Sequence, residues 1–228
     1  MEIKSWMTVI CQLRAIAVIR APTFELGCQM ASAVAQGGIQ LIEITWNSDR
    51  APELIPYLRE SLPDCVIGTG TLLTTHHLRE AIAVGAQFLF SPHVDVGMIQ
   101  AAVEHNIPMI AGALSPTEII QAWQAGCSSV KVFPVQALGG VEYIQSLQGP
   151  LGHIPLIPTG GVTLANVPDF LQAGAVGVGL SGCLFPQAAV QQGQWQTIVE
   201  QAQRLVALTQ AGNSQSADPE DNGLYGNN

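Results

Sequence analysis

Gln124-Ala125-Gly126-Cys127-Ser128-Ser129-Val130-Lys131-Val132-Phe133-Pro134 holds one full period of the pattern that builds the chain. Its glycine stops a helical stretch, since glycine takes up the left-handed C′ conformation without a Cβ clash. The β-branched and aromatic run that follows, closed by proline, reads as a buried strand. The same unit returns in both directions. Glycine closes helical patterns at Ala35-Gln36-Gly37-Gly38, Ala83-Val84-Gly85-Ala86 and Gln172-Ala173-Gly174-Ala175. Strand-like runs fall at Ala15–Arg20, Leu41–Thr45, Val66–Thr69, Phe88–Ser91, Pro108–Ala111, Val130–Phe133, Pro155–Pro158 and Val176–Leu180. Strands alternating with helices imply right-handed βαβ crossovers and a parallel sheet. Eight of them in about 210 residues predict an α/β fold, a single (β/α)8 TIM barrel. An open, doubly wound sheet is the alternative.

Helix starts support this register. Ser115-Pro116-Thr117-Glu118 has capping-box spacing with proline at N1, and Asp95 and Thr163 are expected N-caps. Residues 1–12 are expected to add a helix closing the bottom of a barrel domain spanning 1–210. Residues 211–228, polar and rich in Gly and Asn, are expected to form a disordered tail.

Of the chain's 228 residues, 48% are hydrophobic and only 11% charged, with a mean hydropathy of +0.30, which suits one densely packed domain. The net charge is −9, so nucleic acid is not an expected partner. Five scattered cysteines, without CxxC or Cys/His ligand spacing, argue against a zinc site and for reduced thiols in the cytoplasm. No basic-then-apolar leader is present, and Arg20, Glu43 and Lys131 interrupt the long apolar stretches. Neither a signal peptide nor a membrane span is expected.

Lys131 is one of only two lysines, and it lies inside an apolar run. Burying an unpaired ammonium is costly, so Lys131 either pairs with a carboxylate or serves as a nucleophile made more reactive by burial. In a barrel, chemistry gathers where the strands end. The ends here carry Arg20, Glu43 with Thr45, Gly68-Thr69-Gly70-Thr71, Ser91-Pro92-His93, Lys131, Thr159-Gly160-Gly161 and Ser181-Gly182. Glu43 is the expected proton shuttle for Schiff-base chemistry at Lys131, and the alternative is a self-satisfied ion pair. Arg20 offers a fixed fork for the carboxylate of a 2-oxo acid, or is simply a solvated strand-end residue or a partner for Glu43. The glycine-rich loops after the seventh and eighth runs fit the place where barrels hold phosphate on backbone N–H groups. His93 is read as wall or cap, His76-His77 as a solvated helix face, and Trp46 as packing over the mouth or between subunits.

These residues, in this order, resemble the class I 2-keto-3-deoxy-6-phosphogluconate (KDPG) aldolase family, which includes 4-hydroxy-2-oxoglutarate aldolases. The resemblance covers roughly residues 10–205. It is carried by Ala17-Val18-Ile19-Arg20, Gly38 to Thr45, Gly68-Thr69-Gly70-Thr71-Leu72, Ser91-Pro92-His93, Lys131-Val132-Phe133-Pro134 and Pro158-Thr159-Gly160-Gly161-Val162. It implies that Lys131 forms an imine with the 2-oxo acid and that Glu43 moves protons. It further implies that Thr71, Pro92 and Phe133 shape the pyruvyl pocket, and that Gly160, Gly161, Ser181 and Gly182 hold phosphate. The implied assembly is a homotrimer that needs no cofactor or metal.

The chain departs from the family pattern at three places. Asn47 stands where many relatives carry a carboxylate-gripping arginine, which would leave that task to Arg20. Gly182 stands where many have serine, and Gln136 where a number have glutamate. The expected activity is cleavage of KDPG to pyruvate and glyceraldehyde 3-phosphate. The alternatives are an aldolase for 4-hydroxy-2-oxoglutarate or for the galactonate-derived epimer, and a non-catalytic barrel binding phosphorylated metabolites.

Overall fold

The computed structural model describes residues 1–211. A first helix, α1 (Ile3–Leu13), precedes β1 (Ala15–Ile19), α2 (Phe24–Gln36), β2 (Leu41–Thr45), α3 (Ala51–Ser61), β3 (Val66–Gly70) and α4 (Thr75–Ala83). The chain continues through β4 (Leu89–Phe90), α5 (Val96–Glu104), β5 (Met109–Ala113), α6 (Pro116–Gln124) and β6 (Ser129–Val132). A 3-10 turn over Val135–Leu138 leads to α7 (Val141–Leu151), β7 (Leu156–Pro158), α8 (Val167–Gln172), β8 (Val178–Leu180), α9 (Gln187–Gln191) and α10 (Trp195–Ala211). Each strand pairs in parallel with the next, β8 pairs with β1, and a bridge between Thr159 and Gly179 joins β7 to β8. The fold is a (β/α)8 TIM barrel.

Both strand faces are buried, which is why the runs are apolar without interruption rather than alternating. Ala15, Ala17, Ile19, Ile42 and Ile44 face the surrounding helices. The intervening positions Ile16, Val18, Leu41, Phe88, Phe90, Ile110 and Ile157 fill the interior together with Trp6 and Ile10 of α1. Each fully buried Ile or Phe of this set contributes about 1.5–3 kcal/mol. The helix anticipated over residues 1–12 is therefore present and stoppers the barrel where its strands begin.

Gly38, Gly85, Gly126 and Gly174 have φ between +85° and +104°, the left-handed turn expected at the helix ends. Ser115 and Glu118 form the reciprocal capping box, and Asp95 accepts from the Met98 N–H at 3.0 Å. Thr163 is not a helix cap. Its N–H instead donates to the Asn166 side chain at 2.7 Å, and α8 begins at Val167 with Pro168 in its first turn. Strand ends shift by one or two residues from expectation, most at β4, which shrinks to two, and at β8, which starts at Val178. Ala211, assigned to the tail, completes α10, and the rest of that assignment lies outside the described residues. Among the described residues no helix is long and apolar enough to cross a membrane.

Candidate active site

Interior positions above the apolar floor carry the polar groups. On β2, Glu43 pairs in register with Val18 on one side and Gly68 on the other and is 1% exposed. Its carboxyl lies against Gly70, where a Cβ would stand 1.8 Å from Oε1, so only glycine leaves it room. Oε1 is buried without a hydrogen bond. Burial holds this carboxyl above its ordinary range, and the charges of Lys131 and Arg20 pull the other way.

Lys131 on β6 is 6% exposed, in register with Gly112 and Ile157. Its Nζ sits 4.8 Å from the Phe133 ring centroid and 5.5 Å from that of Phe90. Aromatic faces, rather than a carboxylate, are its near neighbours: no ion pair within 4 Å involves it among the described residues. A direct ion pair, one of the two readings of Lys131, is not what the structure contains. Thr71, just beyond Gly70, adopts φ +61°, a conformation that costs a non-glycine residue roughly 1–3 kcal/mol.

The opposite side is made of backbone. Gly160 and Gly161 have φ of +83° and +93°. Their carbonyls are taken by the Gln136 N–H at 3.1 Å and by Asn166 Nδ2 at 3.1 Å, while among the described residues the loop N–H groups of Gly161 and Gly182 donate to no backbone carbonyl. Gln136 thus braces this loop from behind. A Cβ at Gly182 would meet nothing within 4 Å. The Thr159 hydroxyl is buried and unpartnered.

Arg20 is exposed and follows β1, which lies between β2 and β8. Ser48 staples the backbone on both sides of it, accepting from the Ala21 N–H at 3.0 Å and donating to the Ile19 carbonyl at 3.5 Å. Asn47 is exposed and does not line the cavity, and Arg50 is occupied by Glu53 and the Phe24 ring.

One cavity of about 390 Å³ brings together Arg20, Glu43, Thr71, Pro92, Lys131, Phe133, Gly160, Gly161, Ser181 and Gly182, every residue the sequence singled out as a site candidate. Val18, Thr45, Thr159, Val162 and Gly179 also line it without having been assigned a role there. The period-two alternation from Glu43 and from Gly179 was the available signal. The His93 ring stays out of the cavity, its carbonyl accepting from Ser91 Oγ at 2.7 Å. His76 faces Glu80 across one turn of α4, and Trp46 packs 6.3 Å from the His77 ring. Among the described residues no cluster of His, Cys, Asp or Glu is arranged to hold a metal ion.

This arrangement can form an imine on a buried amine, move protons on a carboxyl group in the same cavity, and hold an anion on loop N–H groups. Residues 7–201 match the family described as KDPG and KHG aldolase. A 2-dehydro-3-deoxy-phosphogluconate aldolase of Dickeya dadantii (strain 3937) is 33% identical over 208 residues, 90% of this chain and 98% of that protein. The KHG/KDPG aldolase of Escherichia coli (strain K12) is 30% identical over 207 residues, 89% of this chain and 97% of that one. Among solved structures, KDPG aldolase from Legionella pneumophila, with pyruvate captured as a covalent carbinolamine intermediate, superposes with a TM-score of 0.81 at 28% identity, covering 87% of this chain and 97% of that one. Fold, cavity and sequence agree: the chain belongs to the KDPG and KHG aldolase family.

Proposed function

We propose that the protein is a class I aldolase that cleaves KDPG to pyruvate and glyceraldehyde 3-phosphate. The observation that carries this reading is a buried Lys131 with no ion pair within 4 Å among the described residues, sharing one cavity with a buried Glu43 whose carboxyl burial holds above its ordinary range.

The Lys131 amine adds to the C2 carbonyl, and Glu43 gives a proton to the departing water, which leaves a protonated imine and the Glu43 carboxylate. Glu43 takes the C4 hydroxyl proton. The C3–C4 bond then breaks, its electron pair passes into the imine to give an enamine, and the aldehyde leaves. Glu43 returns the proton to C3, and water then hydrolyses the protonated imine, releasing pyruvate and the free amine while the carboxylate of Glu43 takes back its proton. Thr71, Pro92 and Phe133 enclose the pyruvyl half. The buried Thr159 hydroxyl, otherwise unsatisfied, takes a substrate hydroxyl.

Sheet order favours one anion for Arg20. Gly160-Gly161 after β7, Ser181-Gly182 after β8 and Arg20 after β1 stand on three consecutive strands, whereas Thr71 and Pro92 follow β3 and β4 on the other side. Arg20 therefore joins the phosphate end, and the pyruvate carboxylate is left to the wall of Thr71 and Pro92.

Incubation with pyruvate and borohydride, followed by digestion and mass spectrometry, tests the reading: a reduced pyruvyl adduct on Lys131 is expected, and its absence from folded protein overturns it. The open space at Gly182 favours a second substrate, unphosphorylated 4-hydroxy-2-oxoglutarate, and relative rates on the two compounds separate them. The family reading also carries a cytoplasmic homotrimer, for which light scattering should give three times 24.1 kDa.

A further inference from the structure

The stopper helix reaches the reactive lysine through two short routes. Trp6, fully buried on α1, donates its indole N–H to Ser129 Oγ at 3.0 Å. Ser129 and Lys131 are two residues apart on β6 and so face the same way into the barrel. The indole also meets Phe90 edge-on, with ring centroids 6.5 Å apart, and Phe88 at 5.4 Å, while Phe90 in turn lies 5.5 Å from Lys131 Nζ. Below the amine there is thus a stack of indole, phenyl ring and ammonium stem, pinned sideways to the amine's own strand.

We infer that Trp6 is a positioning residue for Lys131, setting the depth at which the amine meets the substrate carbonyl through Phe90 and Ser129. The inference rests on Lys131 being the imine-forming residue. Packed interiors transmit displacement because they lack free volume to absorb it. A shift on the order of 1 Å at a reacting atom costs up to about 100-fold in rate. Ile10, equally buried on the same helix, packs instead beside Gly177, just before β8, so it shares the burial but not the route.

The test uses the full chain and follows kcat, KM, the rate of borohydride-trapped pyruvyl adduct on Lys131, and the thermal midpoint. Trp6→Leu is expected to lower kcat and the trapping rate about tenfold with KM within about twofold, and Trp6→Phe, which restores a ring against Phe90, to recover most of the loss. Ile10→Ala should lower the thermal midpoint at least as much while keeping kcat within about twofold. Wild-type kcat in folded Trp6→Leu, or activity falling in step with stability in both the Trp6 and Ile10 variants, overturns the inference. If Trp6→Leu does not fold, Phe90→Leu carries the same test, with a comparable kcat loss expected and an unchanged kcat overturning it. Lys131→Ala separates the two ideas: if it still cleaves substrate the imine reading fails, and if it is dead while the Trp6 variants are normal only the positioning role fails.

Discussion

The two sides of the cavity are built from different materials. Glu43 and Lys131 are single side chains, almost wholly buried and crowded by Gly70, Phe90 and Phe133, so each atom has one place to be. The β7–β8–β1 side is made of glycine N–H groups and one exposed arginine, with empty space beside Gly182. A site that must move electrons at one carbon needs fixed, individually irreplaceable groups. A site that must hold a distal anion can share the work among several donors, each dispensable. Substitutions on the first side should abolish function, and those on the second should retune it.

The contrast orders its own tests. Lys131→Ala should remove borohydride-trapped pyruvate altogether and cut cleavage by about 10⁴-fold or more in a coupled assay, since the nucleophile has no substitute. Glu43→Gln should cut kcat by about 10²–10⁴-fold, and Gly70→Ala, which drives a methyl into Oε1, by about 100-fold at unchanged lysine chemistry. Glu43→Gln also carries a stability signature. Because burial raises the carboxyl in the folded protein, the native state keeps a proton that the unfolded chain has released, and stability falls as pH rises from the ordinary value of 4.5 through the folded one. The glutamine variant escapes this loss, so its thermal midpoint should exceed wild type at pH 8, with the gap closing below pH 4.5. Arg20→Leu should lower kcat/KM on the phosphorylated substrate about tenfold while pyruvate trapping changes less than about threefold. Equal losses in both would move Arg20 to the carboxylate. The smallest effect is a gain: Gly182→Ser should fold normally and lower KM for the phosphorylated substrate about threefold, with no change for 4-hydroxy-2-oxoglutarate.

Much of this was legible in sequence because the barrel repeats one unit eight times and punctuates it with glycine. Strand ends were the weak point. β4 keeps only Leu89–Phe90 because pairing with β3 and β5, not composition, decides where a ladder stops. Thr163 misled because a hydroxyl followed by an apolar residue looks like a cap, whereas Pro168 in the first turn of α8 was the better mark. Lys131 and Glu43 stood out as charges in apolar runs. Thr159 did not, since a hydroxyl beside Gly-Gly has no visible cost until the fold buries it without a partner. Trp6 was out of reach altogether: nothing local ties it to Ser129, 123 positions away.

Among the described residues α1 closes the barrel where its strands begin, and the cavity opens at the other end. In the proposed reaction, substrate, both products and the water that frees the lysine use this mouth, where the glycine loops after β7 and β8 stand. In the proposed cleavage the phosphorylated aldehyde lies nearer that mouth and the pyruvyl group lies deeper, tethered to Lys131. The aldehyde must therefore clear the passage before water can arrive to release pyruvate, so the geometry of a closed floor becomes an order of departure.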